Sequence, residues 1–189
     1  SLMSLPRLVL TTVGISALLN SLDPGQGEWR SRLNQESNSQ DLSPEVGQKV
    51  AALAEKALDC LRQCDVKRSR SLSAELNGLY GLYQNQLSRA QGDMHWLVAT
   101  DTVMGRTSAE IVDRFLREQG LTSNVYVPRD LSTAEPASFS RGIKDLIRWC
   151  EETIPGYREA GYQVTFNLTG AFKSLQGYLS IAGMFNADE

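Results

Sequence analysis

The residues best placed to do chemistry are Asn167-Leu168-Thr169-Gly170-Ala171-Phe172-Lys173-Ser174, which follow the apolar run Tyr162-Gln163-Val164-Thr165-Phe166. The pattern predicts a buried strand that passes through a small-residue turn into a helix with a lysine in its first turn. Backbone N–H groups at a helix start, joined by a cation, bind anions. A lysine there opposes the helix dipole and costs a little stability, a cost more easily understood if it serves an anion. The first strand ends in the same way: Leu8-Val9-Leu10-Thr11-Thr12-Val13 runs into Gly14-Ile15-Ser16. Two such turns, rich in hydroxyls and glycine and lying near the two ends of the chain, point to a phosphate-bearing ligand held between them. The plainer account makes Gly14 a tight turn, Ser16 a helix cap and Asn20, one turn further on, a solvated side chain.

A third segment, Asp101-Thr102-Val103-Met104-Gly105-Arg106-Thr107, follows the second predicted strand. Arg106 there is either a bidentate phosphate contact or a surface arginine in a loop. Neither the G-x-G-x-x-G spacing of a dinucleotide site nor the G-x4-G-K-[ST] spacing of a triphosphate loop occurs in these turns, which argues against a nicotinamide, flavin or nucleotide-triphosphate cofactor. The spacing from Arg89 to His95 is superficially similar to the R-x5-H pattern of HEPN ribonucleases. That pattern works on a helix, whereas His95 enters a predicted strand, so the spacing reads as a coincidence. A single histidine and the lack of a carboxylate cluster give no reason to expect a catalytic triad or a metal. Cys60 and Cys64 share one face of a predicted helix and, with Cys150, read as reduced thiols.

The elements that must position these residues are strands alternating with helices. Arg7–Val13 is a short apolar run typical of a central parallel strand. Residues 21–41 are polar and read as a loop or short-helix insertion. Ser43-Pro44-Glu45 then opens a helix whose buried face is Val46, Val50, Leu53, Ala57, Leu58 and Leu61. A second helix from about Ser71 carries the stripe Leu72, Leu76, Leu79, Tyr83 and Leu87. The two helices form a predicted hairpin, residues 43–89, inserted after the first strand, as scaffold, dimer surface or lid. Strand two spans Met94–Thr100. Helix three starts at the capping box Thr107-Ser108-Ala109-Glu110 and stops at Gly120. Strand three covers Asn124–Val127, and a helix runs from Pro136 to Thr153. Strand four covers Tyr162–Asn167, and a last helix runs from Gly170 to Ala182. This order predicts a single α/β domain with a mostly parallel sheet, whose ligands bind at the carboxyl ends of the strands. The alternation would next supply a strand, so a further strand or domain is expected beyond residue 189.

Composition is that of an ordinary globular domain, 41% hydrophobic and 22% charged with a net charge of −3. Such a balance argues against a protein that coats DNA or RNA, and direct DNA binding is not expected. No apolar run is long enough to span a membrane, and the N-terminus lacks a signal peptide's apolar core, so a cytoplasmic location is expected.

Together, Thr12-Val13-Gly14-Ile15-Ser16 with Leu18-Leu19-Asn20, Asp101-Thr102 with Gly105-Arg106 and Ala109-Glu110, and Asn167 to Ser174 resemble the CRISPR-associated Rossmann-fold (CARF) proteins. The branch most similar reads N-L-T-G-G-F-K-S; Ala171 replaces its second glycine, which narrows the backbone's approach to a phosphate. The resemblance spans nearly the whole chain, is weakest over residues 21–89, and implies a Rossmann-like fold. It also implies a type III CRISPR accessory protein in antiviral defence that binds cyclic oligoadenylate, the four-membered ring, across a homodimer. A two-fold ring suits an isologous dimer. Some members, the ring nucleases, cut the ring without metal or other cofactor. On that resemblance Lys173 stabilises the phosphorane and Ser16 positions the attacked linkage. Thr12, Gly14, Asn167, Thr169 and Gly170 shape the cradle, and Thr11, Ile15, Asn20, Asp101, Thr102, Ala171, Phe172 and Ser174 are further ligand contacts. Arg106 joins them as a weaker candidate. The alternative is a non-catalytic sensor domain of a larger effector. A generic nucleotide-binding Rossmann protein is disfavoured by the missing glycine fingerprint.

Overall fold

The β-rich run Arg7–Val13 forms β1, buried from Leu8 onward. A strand buried on both faces must lie inside a sheet with cover on each side. A computed structural model, which describes residues 5–177, shows this arrangement. With β2 (Met94–Ala99), β3 (Thr122–Tyr126) and β4 (Gln163–Asn167), β1 forms a four-stranded parallel sheet in the order β3-β2-β1-β4. The fold is α/β with a parallel sheet, as the alternating pattern predicts, and Rossmann-like, as the family resemblance implies.

Strand alternation sorts β1 into two cores. Val9 and Val13 pack with the helices that lie between β1 and β2 and with the helix after β2. Those elements are α1 (Ser16–Leu19), α2 (Gly27–Glu36), α3 (Pro44–Gln63), α4 (Val66–Leu72), α5 (Ala74–Leu82) and, after β2, α6 (Val103–Glu118). Leu8 and Leu10 face α7 (Pro136–Glu159), whose Ile143, Leu146, Cys150 and Ile154 are buried with Val98, Val164 and Phe172. Trp149 of α7 stacks on Tyr126 with ring centroids 4.4 Å apart and meets Trp96 edge-on at 5.1 Å, which clamps the helix over β2 and β3.

Three helices before β4 differ from the expected ones. The second arm of the hairpin is two helices, because the backbone is extended at Ser73. Ser73 ends α4 and caps α5, its hydroxyl accepting Leu76 N–H at 3.0 Å. The apolar stripe runs on across the break, since Leu72, Leu76, Leu79 and Tyr83 are all buried. Helix α6 starts a turn before the expected capping box: Thr102 is its cap, accepting Gly105 N–H at 2.9 Å. Thr107 instead donates to Val103 O, which commits its hydroxyl to the helix interior. Helix α7 continues through Pro155 to Glu159. Buried Ile154 and the hydrogen bond from Trp96 Nε1 to Tyr157 Oη dock this last stretch on the sheet, offsetting the bond that proline removes.

At the amino edge of the sheet, Asp93 accepts Arg7 N–H at 2.7 Å and the Tyr83 hydroxyl at 2.6 Å. Tyr83 Oη also lies 3.3 Å from His95 Nε2, while His95 Nδ1 has no partner. Burial lowers His95 to a pKa of about 4, so the neutral ring is the folded form. His95 therefore sits inside β2, at the opposite end from the turns singled out above. Among the described residues no helix is long and apolar enough to cross a membrane.

Candidate functional site

Parallel pairing sets Thr11 beside Asn167, so β1 and β4 end at one edge. The chain leaves β1 to build β2 and β3 on one side and returns to lay β4 on the other. The order therefore reverses between β1 and β4, the place where open α/β sheets take their ligands.

Reciprocal hydrogen bonds join the two turns. Thr169 N–H donates to Thr12 Oγ1 at 2.9 Å, and the Thr169 hydroxyl donates to Thr12 O at 2.7 Å. Asn167 donates through Nδ2 to Glu75 O at 3.1 Å and to Thr11 Oγ1 at 3.4 Å, tying β4 to α5. Gly78 makes this approach feasible, because a Cβ there would collide with the Asn167 side chain. Beneath the turns lies Glu75, 1% exposed, whose Oε2 accepts Gly14 N–H at 3.2 Å. Burial pushes its carboxyl above the ordinary glutamate value, against the lowering effect of its hydrogen bonds.

Above the turns is a cleft of about 230 Å³. Val13, Gly14, Ile15, Thr169, Gly170 and Phe172 line it from the two strand ends. Asn34, Ser37 and Asn38 at the end of α2, with Thr100 and Thr133, complete the wall. Asn38 Oδ1 accepts from Ser132 Oγ, Thr133 N and Thr133 Oγ1, so it fixes the segment after β3 against α2. The described lining is neutral: amide and hydroxyl groups with an apolar floor. It suits a ligand recognised by hydrogen bonding.

The sequence-derived residues divide into groups. Gly14, Ile15, Thr169, Gly170 and Phe172 meet in the cleft, Phe172 as a buried anchor against Phe139. Ser16 and Lys173 do not line it, although each is next in the chain to a lining residue. Ser16 Oγ accepts Ala74 N–H at 3.0 Å, which leaves its own proton for another acceptor. Lys173 is exposed. Asn20 donates through Nδ2 to Ser71 O and Leu72 O, so both its N–H groups brace α1 against α4. Thr11 and Thr12 are buried in β1. Thr102 is the α6 cap described above, and Asp101 accepts both Arg106 Nη2 and, at 2.9 Å, Asp130 N–H. Arg106 is thus already paired with a carboxylate.

The expected helix at Gly170 opens as a 3-10 turn, Gly170–Ser174, which also holds Ala171. Its residues 178–182 lie outside the described part. Helix α1 has only four residues. The dipole of α1 is therefore weaker than expected, and Gly14 N–H is committed to Glu75 rather than offered to the cleft. Sequence reasoning missed Glu75, Asn34, Ser37, Asn38, Thr100 and Thr133. For Glu75 a signal existed: it falls on the apolar stripe, three residues after Leu72 and four before Leu79.

A family model described as CRISPR-associated protein (Cas_APE2256) matches residues 70–189, well over half of the chain. The chain belongs to this family. The Cas_APE2256 match takes in α5 with Glu75, the β2 end and the whole β4 turn, and it begins after β1. A CRISPR-associated role follows from membership. Gly14 and Ser16 reach the site through the fold, by the pairing of β1 with β4.

Proposed function

We propose that this CRISPR-associated protein binds cyclic tetra-adenylate at the β1–β4 edge and cuts it, ending type III CRISPR signalling. The resemblance to CARF proteins of the ring-nuclease branch supports this reading, as does family membership. The observation that carries it is the stitching of the Thr12 and Thr169 turns at the switch point, with Ser16 and an exposed Lys173 each next in the chain to a residue that lines the cleft. Two protomers would each offer one such edge to a two-fold ring.

Cleavage in this scheme needs no metal. A ribose 2′-hydroxyl gives up its proton to water and attacks the adjacent phosphorus, the 2′-O–P bond forms, and the P–O5′ bond breaks. The 5′-oxygen takes up a proton, leaving a linear product with a 2′,3′-cyclic phosphate. The protein's share is to hold the in-line geometry and to stabilise the added charge on the phosphorane. Ser16 donates to the attacked linkage, and Lys173 supplies the cation.

The test is incubation of labelled cyclic tetra-adenylate with the protein in EDTA, beside Lys173→Ala. The expected result is metal-independent linear product, reduced about a hundredfold or more in the variant. Tight binding without product would replace the nuclease with a sensor. Absence of both would overturn the ligand.

A further inference from the structure

Glu75 sits in the first turn of α5, 1% exposed, and its carboxyl meets both of the turns that line the cleft. Oε1 receives the Ser73 hydroxyl proton at 3.1 Å, and the Ser73 oxygen in turn accepts Leu76 N–H. Oε2 receives Gly14 N–H at 3.2 Å and lies 3.4 Å from Thr169 Oγ1. Thr169 has one hydroxyl proton, and Thr12 O at 2.7 Å is much the better acceptor for it. A neutral carboxyl with its proton on Oε2 can donate to Thr169 Oγ1, whereas an ionised one makes no hydrogen bond there. The Gly14 and Glu75 backbone donors and the Ser73 hydroxyl favour the ionised form, and burial acts against them as the largest effect.

The surroundings favour the neutral form. The groups that meet the carboxyl from β1, β4 and the start of α5 are Gly14, Thr169 and Ser73, all uncharged. On α4, Lys67 and Arg68 are exposed, and Arg70 is held by Asn77 and Asn85. Arg7 stands at the opposite end of β1, and Lys173 is exposed on the 3-10 turn. Burial without a cationic partner disfavours the charged form, in agreement with the upward shift of this carboxyl.

We propose that Glu75 is a positioning residue held as the neutral acid beneath the paired turns, and that its charge state sets whether the cleft accepts an anion. The proposal rests on the phosphate-bearing ligand of the preceding section. The neutral acid braces Gly14 and Thr169 without adding charge. The ionised form places a negative charge against the turn that faces the ligand and repels a phosphodiester across a poorly screened interior. An anion in the cleft in turn favours the protonated acid, so binding takes up a proton and weakens as pH rises through the titration of Glu75.

Two measurements on the whole protein test this. The first is a pH titration of the Glu75 side-chain carboxyl by carbon-13 NMR in the free protein. The second is the affinity for cyclic tetra-adenylate from about pH 5.5 to about pH 8.5, in wild type and in Glu75→Gln. Glu75 is expected to titrate above an ordinary glutamate. Wild-type affinity is expected to fall up to about tenfold per pH unit above that midpoint, with a flat profile in Glu75→Gln. A carboxyl that titrates in the ordinary range or below overturns the proposal, and so does an equal slope in both proteins. Should Glu75→Gln not fold, the carboxyl titration and the wild-type profile decide between the same outcomes. If neither protein binds the ring at any pH, the ligand reading fails and the role given to Glu75 falls with it.

Discussion

Glu75 and His95 are buried ionisable groups at opposite edges of the sheet, and they make stability depend on pH with opposite signs. Burial raises the Glu75 carboxyl, so its contribution is complete below the ordinary glutamate value and is lost as pH rises through the raised one. Glu75→Gln is therefore expected to melt progressively higher than wild type as pH increases, with the difference vanishing toward about pH 4. Burial lowers His95 to about 4, so its contribution is complete above the ordinary histidine value and is lost as pH falls toward about 4. The gap between those two values is worth about 3 kcal/mol. His95→Gln should flatten the acid limb of a melting-temperature profile between about pH 6.5 and about pH 4. An acid limb that persists unchanged would mean that other groups carry it.

The elements around the cleft are set by a few side-chain caps and one close approach. Thr102 holds the first turn of α6 next to Thr100, which lines the cleft. Removing that cap in Thr102→Ala should cost about 1 kcal/mol, read as a fall of about 2–4 °C in melting temperature. Gly78 lets α5 reach Asn167, and the Cβ of Gly78→Ala would meet that side chain. The substitution is expected to cost about 1–3 kcal/mol and to loosen the β4 turn, seen as faster amide exchange at Thr169. Unchanged stability would show that Asn167 moves aside freely. At this scale the strands were legible in the sequence: β1 was expected at Arg7–Val13 and lies there. The division of the hairpin's second arm was not legible. Its apolar stripe keeps helical phase through Ser73, and only the extended backbone at that residue separates α4 from α5. The start of α6 was misplaced because Thr102 and Thr107 both lie ahead of apolar periodic residues, and the choice between them depends on which hydroxyl meets a free N–H.

For the whole molecule, the strand order decides where function can sit. Laying β4 beside β1, away from β2 and β3, creates the reversal at which the two turns meet. The proposed two-fold ligand makes a stoichiometric prediction for the assembly. Calorimetry should give one cyclic tetra-adenylate per two chains, and sedimentation should give twice the protomer mass. One ring per chain on a monomer would count against a shared site.

By itself the sequence determined the alternation of strands and helices, because short β-branched runs and 3.6-residue apolar stripes are local signals. It also singled out the Gly14 and Thr169 turns, because glycine and hydroxyl residues at strand ends are local too. Only the tertiary structure decided which of those residues line the cleft. Asn20 spends its donors on α4, Arg106 pairs with Asp101, and Gly14 gives its N–H to Glu75. The same holds for Asn34, Ser37, Asn38 and Thr133, polar residues of no special pattern that the fold gathers around one cleft. Hydrogen bonds between residues far apart in the chain leave no periodicity to read, and a carboxylate such as Glu75 becomes unusual only when packing has removed the water around it.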